Sequence, residues 1–464
     1  MQATSLNARP PVAASGLPLV GALPGLIVDP LRTLTQLAHQ HSGAVLRVPF
    51  GPFQVYMLTH PRQISYVLHE KWRKYPKGEN GMWQQIRRLF GDSLVTIDDA
   101  RWVEDRRLLQ PLFQRANLNA MLGELVDSIS DGLDTILTQA RSGAPLPINR
   151  AMARLSEEVL LRSLFGIRVA DAEAEELRES MMSAFSFAMN RMLLFFLPRY
   201  IPIPSELAYR RGIRRLDSAM YGLMSKRRTQ SGPSRDLLSV LLNTRHPDTG
   251  EPLASKHVRD EIVTMFFAGH DSTSRTKTWA LASLSRNPEA LRKAQDEVDS
   301  VLGSRRPTLD DVPKLKYLKQ VVQETLRLYP AGWLMPRTAS EEDVIDGYKI
   351  PKGAFLCINI YAVHRDPALW ERADAFEPER FDGSESSWPR GQYIPFGGGP
   401  RLCIGDQFGL MNAQLTLAMF LQRFQPRLVA GKEFRASGLG GSLQPATDVM
   451  MHCTPRSPRT ERGS

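Results

Sequence analysis

The tightest condition on what this chain can fold into is set by one stretch near its C-terminal end: Phe396-Gly397-Gly398-Gly399-Pro400-Arg401-Leu402-Cys403-Ile404-Gly405. Glycines open backbone conformations closed to other residues, and they remove side chains where a flat molecule could lie against the main chain. Immediately afterwards Ile404, Phe408, Met411, Leu415 and Met419 recur at steps of three and four, which predicts a buried helix over 404–424. The chain must therefore present one cysteine just ahead of a helix. A helix start offers orphan N–H groups and the positive end of the helix dipole, and both favour thiolate over thiol. A buried cysteine beside a flexible turn is the plainer reading of a lone cysteine in such a loop.

Helical periodicity dominates what precedes this loop. It predicts helices over 30–41, 61–70, 100–110, 117–141, 150–165, 172–192, 205–228 and 234–242, with a long one over 255–286 that ends at Asn287-Pro288. Two more cover 289–302 and 314–328, the second stopped by Pro330. Strand-like pieces fall at 44–48, 53–58, 335–339, 343–345 and 355–360, and 364–401 is a long coil dense in Pro, Gly and charge. Residues 1–29 form a proline-rich leader and 454–464 a basic tail. No linker divides the part between, so 30–453 is expected to be one domain.

Composition narrows the function. Basic residues number 59 against 49 acidic ones in the 464-residue chain, a net charge of +10. The excess is diffuse, with no lysine run and no basic stripe interleaved with aromatics, so nucleic acid is not an expected partner. Docking to an acidic protein fits better. The three cysteines, Cys357, Cys403 and Cys453, stand far apart. Without a C-x-x-C pair a structural zinc site is not expected, and the odd number speaks against a disulfide framework and for a reducing compartment. The most apolar N-terminal stretch, 16–28, is broken by Pro18 and Pro24 and falls short of the ~20 apolar residues of a spanning helix. A cytoplasmic protein without a membrane anchor is expected.

Two further clusters carry chemistry. Glu324 and Arg327, in Glu324-Thr325-Leu326-Arg327, share one helix face and can pair, as many solvated helix residues do. Within the long helix, Ala268-Gly269-His270-Asp271-Ser272-Thr273 is poor helix stock, since glycine costs about 1 kcal/mol relative to alanine. Tight helix packing would explain the glycine. A groove with an acid and two hydroxyls able to relay protons would explain the whole group. His270 is read as a structural or pocket-rim residue.

Taken together, these motifs resemble the cytochrome P-450 family. The loop fits its haem-binding pattern F-x-x-G-x-R-x-C-x-G at every anchor, Phe396, Gly399, Arg401, Cys403 and Gly405. Glu324 and Arg327 resemble its E-x-x-R helix, and Arg380 in Phe376-Glu377-Pro378-Glu379-Arg380-Phe381 matches the arginine that completes a buried triad. Ala268, Gly269 and Asp271 resemble the oxygen-activation motif, with one departure: serine, not threonine, follows the acid, and Thr273 comes next. Ser272 and Thr273 both stay open as the catalytic hydroxyl. Trp102 and Arg106 match a W-x-x-x-R helix, and Arg337 and Arg401 match further contacts to haem propionates. The likeness runs over roughly 17–454 and is strongest over 266–405.

The resemblance implies a mainly α fold with a small β region, a single triangular haem domain. It implies haem b (iron protoporphyrin IX) with Cys403 as the thiolate ligand of the iron, an arrangement that favours O–O cleavage. The implied enzyme is a monooxygenase inserting one atom of O2 into a small hydrophobic molecule, a terpenoid, fatty acid or polyketide-like compound. Its electrons would come from a separate ferredoxin and ferredoxin reductase docking on the cysteine side near Arg390. By position, substrate would meet Trp83, Ile86, the stretch 185–196, Phe266, Phe267, Trp333, Leu334 and the loop 443–446. A peroxide-driven peroxygenase, a haem-dependent isomerase or dehydratase, and a haem sensor are the rival readings.

Overall fold

The computed structural model describes residues 9–12, 22–50, 53–78, 81–166, 183–185, 187, 206–229, 236–246, 249–431, 434–438 and 442–456. The parts of the leader, the basic tail and the 172–192 helix not in these ranges lie outside the described residues. Helices dominate and the sheets are small. Two compact units arise, one from Met1–Pro76, Leu133–Ala153 and Asp271–Ser464, the other from Lys77–Gly132 and Arg154–His270.

The first unit carries a four-stranded sheet in the order Leu46–Phe50, Phe53–Leu58, Phe355–Asn359, Leu334–Thr338. Met57 pairs in parallel with Cys357, and Cys357 pairs in antiparallel fashion with Pro336. Val45, Leu58, Ile64, Leu356, Ile358 and Ile394 fill the core against it. The Pro61–Ser65 helix continues as a π-helical turn, Tyr66–Glu70, where sequence periodicity predicts plain helix. Helices Pro288–Leu302 and Lys316–Leu328 follow, the latter burying Leu318, Val321, Val322 and Leu326.

The helix after the cysteine runs Asp406–Arg423 and is buried along most of its length. It starts two residues later than its apolar spacing predicts, because Gly405 is the N-cap and Ile404 stays in the loop. A three-stranded sheet of Leu146–Pro147, Met450–Pro455 and Phe424–Leu428 closes this unit. Its strands are short and contain prolines, so they carry almost no alternating signal.

The second unit is helical: Gly81–Phe90, Asp99–Leu109, Glu206–Thr229, Leu237–Asn243, and parts of Arg115–Ala140, Ile148–Ser163 and Ser255–Arg286. The Gly81–Phe90 helix is unexpected, although Trp83, Ile86 and Phe90 stand at helical steps. The Ser255–Arg286 helix has the predicted bounds. Among the described residues no helix is long and apolar enough to cross a membrane.

Candidate active site

Cys403 is exposed, whereas Cys357 and Cys453 are buried. Burial pushes both of those thiols up to about 12, which leaves them inert. The loop is shaped by its own backbone: the Cys403 N–H donates to the Phe396 carbonyl at 3.0 Å, and the Leu402 N–H to the Gly399 carbonyl at 3.0 Å. Gly399 sits at φ +67°, and a Cβ there would lie 1.8 Å from the Leu68 carbonyl oxygen, so no other residue fits. That carbonyl belongs to the π-helical turn, an irregularity that often marks functional sites. Gly397, at φ +77°, lets Met335 approach to 2.9 Å of where its Cβ would be. The strand bearing Met335 also bears Arg337, which is buried and donates to the Pro336 carbonyl at 2.7 Å. Arg401 lies in the short 3-10 turn Gly399–Arg401. An exposed thiol in a side-chain-free cradle, with an arginine-bearing strand beside it, fits the thiolate ligand of a haem.

Glu324 and Arg327 brace this region. Both side chains are wholly buried, and two hydrogen bonds of 2.7 and 2.8 Å join them. Arg327 also donates to the carbonyls of His364 at 2.8 Å, Ala373 at 2.6 Å and Ala375 at 2.9 Å, which occupies every guanidinium N–H. Glu324 accepts the Glu377 N–H at 2.9 Å and Arg380 Nε at 3.3 Å, and Arg380 in turn pairs with Glu377 at 2.7 Å. Buried charges are tolerable under such full pairing. His364, which sequence reasoning did not single out, links the brace to the loop: its Nε2 accepts the Ile394 N–H at 2.9 Å, two residues before Phe396. Burial, and then the charge of Arg327, lowers its pKa to about 3, so the ring stays neutral.

On the Ser255–Arg286 helix, Asp271 and Thr273 are buried and Ser272 is half-buried. Asp271 Oδ1 accepts from Arg275 at 2.9 and 2.6 Å, one helical turn on. Sequence reasoning missed Arg275, although an acid and a base four residues apart are a readable signal. The hydroxyls of Ser274 and Thr276 donate back to the carbonyls of Asp271 and Ser272 at 3.0 and 2.9 Å, a pattern that loosens a helix locally. Gly269, next to Ala268, has a packing reason of its own: a Cβ would come within 2.9 Å of Leu160. His270 is buried and stacks on Phe266 with ring centroids 5.9 Å apart.

The second unit holds Trp102, buried, and Arg106, half-buried, one turn apart on the Asp99–Leu109 helix. It also holds an apolar wall: Phe267 stacks on Phe185 at 4.1 Å and meets Phe90 edge-on at 5.6 Å. Trp83 is buried there too. In the first unit Trp333 and Leu443 pack with Leu31. Of the other aromatic and methionine positions expected to meet substrate, Met189, Met192, Phe195 and Phe196 lie outside the described residues.

Comparison with known proteins gives a consistent result. The cytochrome P-450 family model matches residues 10–447. Cyclooctatin synthase of Streptomyces melanosporofaciens is 32% identical over 92% of each chain. Cyclooctat-9-en-7-ol 5-monooxygenase of the same organism is 31% identical over 90% of each. The crystal structure of the cytochrome P-450DA haem domain superposes with a TM-score of 0.88 at 26% identity, covering 98% of this chain and 99% of that one. The mainly helical fold, the glycine-cradled cysteine and these matches converge: the chain belongs to the cytochrome P-450 family and is a haem-thiolate monooxygenase.

Proposed function

We propose that residues 30–453 act as one haem domain that holds haem b through Cys403 and hydroxylates or epoxidises a terpenoid, with electrons delivered by a ferredoxin and ferredoxin reductase in the cytoplasm. The observation that carries the ligand assignment is that Cys403 alone of the three cysteines is exposed, in a loop where Gly399 admits no side chain. By the family likeness Arg337 and Arg401 would serve haem propionates, since a carboxylate sets its strongest hydrogen bonds with such donors, and Trp102 and Arg106 match the family's W-x-x-x-R helix for the same role. Haem, when bound, would supply the redox-active iron on which O2 activation and oxygen insertion depend.

The chain's own residues supply protons and shape. Asp271, anchored by Arg275, would serve proton delivery together with the hydroxyl groups of Ser272 and Thr273, which follow it in the helix. The exposure of Leu402 and the presence of His69 and Arg390 in the depression beside the cysteine loop support a protein docking face there. The Phe185, Phe267 and Phe90 wall supports an apolar substrate. Two relatives named for cyclooctatin chemistry support the terpenoid class.

The test is a substrate screen on the holoenzyme with O2, NADPH, ferredoxin and reductase, beside hydrogen peroxide alone. Oxygenated product from a diterpene alcohol, at a rate well above the peroxide control, is the expected result. Equal rates with peroxide, turnover without O2, or product from fatty acids alone would contradict it.

A further inference from the structure

Within the second unit, two helices meet through charged side chains that the haem chemistry does not use. His257 and Glu261 stand one turn apart on one face of the Ser255–Arg286 helix, and Asp105 reaches them from the Asp99–Leu109 helix. His257 Nε2 lies 3.3 Å from Asp105 Oδ2 and 3.9 Å from Glu261 Oε1. One donor atom from each of the three residues falls within 4.8 Å of the other two. Glu261 is 0% exposed and Asp105 4% exposed. Glu261 Oε1 accepts the Leu94 N–H at 2.7 Å. His257 pairs with Asp105, and that contact raises its pKa. Burial pushes the Glu261 carboxyl up to about 8, and its Oε2 has no partner, which is expensive as it stands.

The adjacent Asp260 shows the ordinary solution. Arg259, Lys256 and the Asp92 N–H all serve it, at 3.0, 2.5 and 3.0 Å. Arg259 is further committed to Asp217, and the nearby Arg101 faces Asp92 at 3.7 Å. Arginine and lysine are thus engaged elsewhere, and the pair of Asp105 and Glu261 is left with His257.

We propose that Asp105, His257 and Glu261 bind one divalent cation of the zinc type, with water completing its shell. Zinc held tetrahedrally at about 2.0–2.2 Å by nitrogen and oxygen places its donors roughly 3.3–3.6 Å apart; the His257–Asp105 spacing of 3.3 Å already matches, and Glu261, at 3.9 Å from His257, would close in on the ion. A dication would hold the Glu261 carboxyl ionised against its burial and turn its idle Oε2 into a ligand. The His257 side chain is 18% exposed, so the site opens to solvent on one edge and an ion can enter. The ion would join two helices of this unit, one of which carries Trp102 and Arg106. Nothing in this site depends on Cys403 or on the substrate.

The test uses tag-free holoenzyme, stripped with a chelator and dialysed against micromolar zinc chloride. Elemental analysis counts zinc with iron counted separately, competition with a chromophoric chelator gives affinity, and thermal unfolding reports the linkage. The expected result is about one zinc per chain, a higher melting temperature with zinc, and affinity about 10²-fold weaker in His257→Ala and in Asp105→Asn at unchanged iron content. No retained zinc, or undiminished affinity in both variants, would overturn the site. Should Asp105→Asn fail to fold, His257→Ala, at a partly exposed position, decides on the same zinc readout.

Discussion

Two buried clusters of charge, one in each unit, solve the same problem in opposite ways. Around Glu324, two arginines, a backbone N–H and three carbonyls satisfy the charges, and nothing is left over for a ligand. Around Asp105 and Glu261, two carboxyl groups share one histidine and Glu261 Oε2 stays idle. Full satisfaction identifies a brace. The ion site rests on three donor groups drawn together with one buried oxygen, Glu261 Oε2, left unpartnered. Asp271 stands between the two, anchored by Arg275 yet part of a run of hydroxyl residues.

The comparison breaks first at Arg327. Arg327→Ala strands the Glu324 carboxylate in a dry interior, and loss of one partner of a buried pair costs about 3–5 kcal/mol. Little folded, haem-loaded protein should be recovered, as read by expression yield and thermal unfolding; a variant of native stability would show that the brace is dispensable. Asp105→Asn in zinc-free protein removes one of two crowded carboxylates and should change stability far less.

Asp271→Asn comes next. Loss of the titratable carboxylate should lower product formation about 10²-fold while haem content and melting temperature hold. Unchanged turnover would remove Asp271 from the proton path. Gly399→Ala should cost about 1–3 kcal/mol, for the positive φ and the clash with the Leu68 carbonyl together, and should lower haem occupancy with it.

A further effect concerns acid. His364 has its pKa lowered from 6.5 to about 3, first by burial and then by Arg327. The unfolded chain therefore takes up this proton before the folded one. Stability is whole above pH 6.5 and declines as pH falls toward 3. His364→Asn, which can still accept the Ile394 N–H, should flatten that part of the unfolding profile; an unaltered profile would mean that other groups govern acid sensitivity.

Much of the fold was legible because long apolar periods in buried helices leave little choice. The Ser255–Arg286 helix came out to the residue. The cysteine loop was legible because its chemistry needs many fixed residues within a short span. Features made by residues far apart in sequence were not. The Glu324–Arg327 pair could be read from its i,i+3 spacing, but Arg380 could be joined to it only through the family likeness, while the role of His364 depends on where a long coil returns. The cluster of Asp105, His257 and Glu261 joins two helices separated by most of the second unit's sequence, and no local spacing announces it. Arg275 and the Gly81–Phe90 helix, by contrast, did carry local signals.

The central claim is that Cys403 supplies the thiolate to a haem. Its most direct test is the absorption spectrum of the purified protein, reduced with dithionite and exposed to carbon monoxide, beside Cys403→Ala. The account predicts the strongly red-shifted Soret band of a thiolate-ligated ferrous carbonyl haem in the wild type and its loss in the variant. A histidine-type band, or no haem in correctly folded wild-type protein, would contradict it.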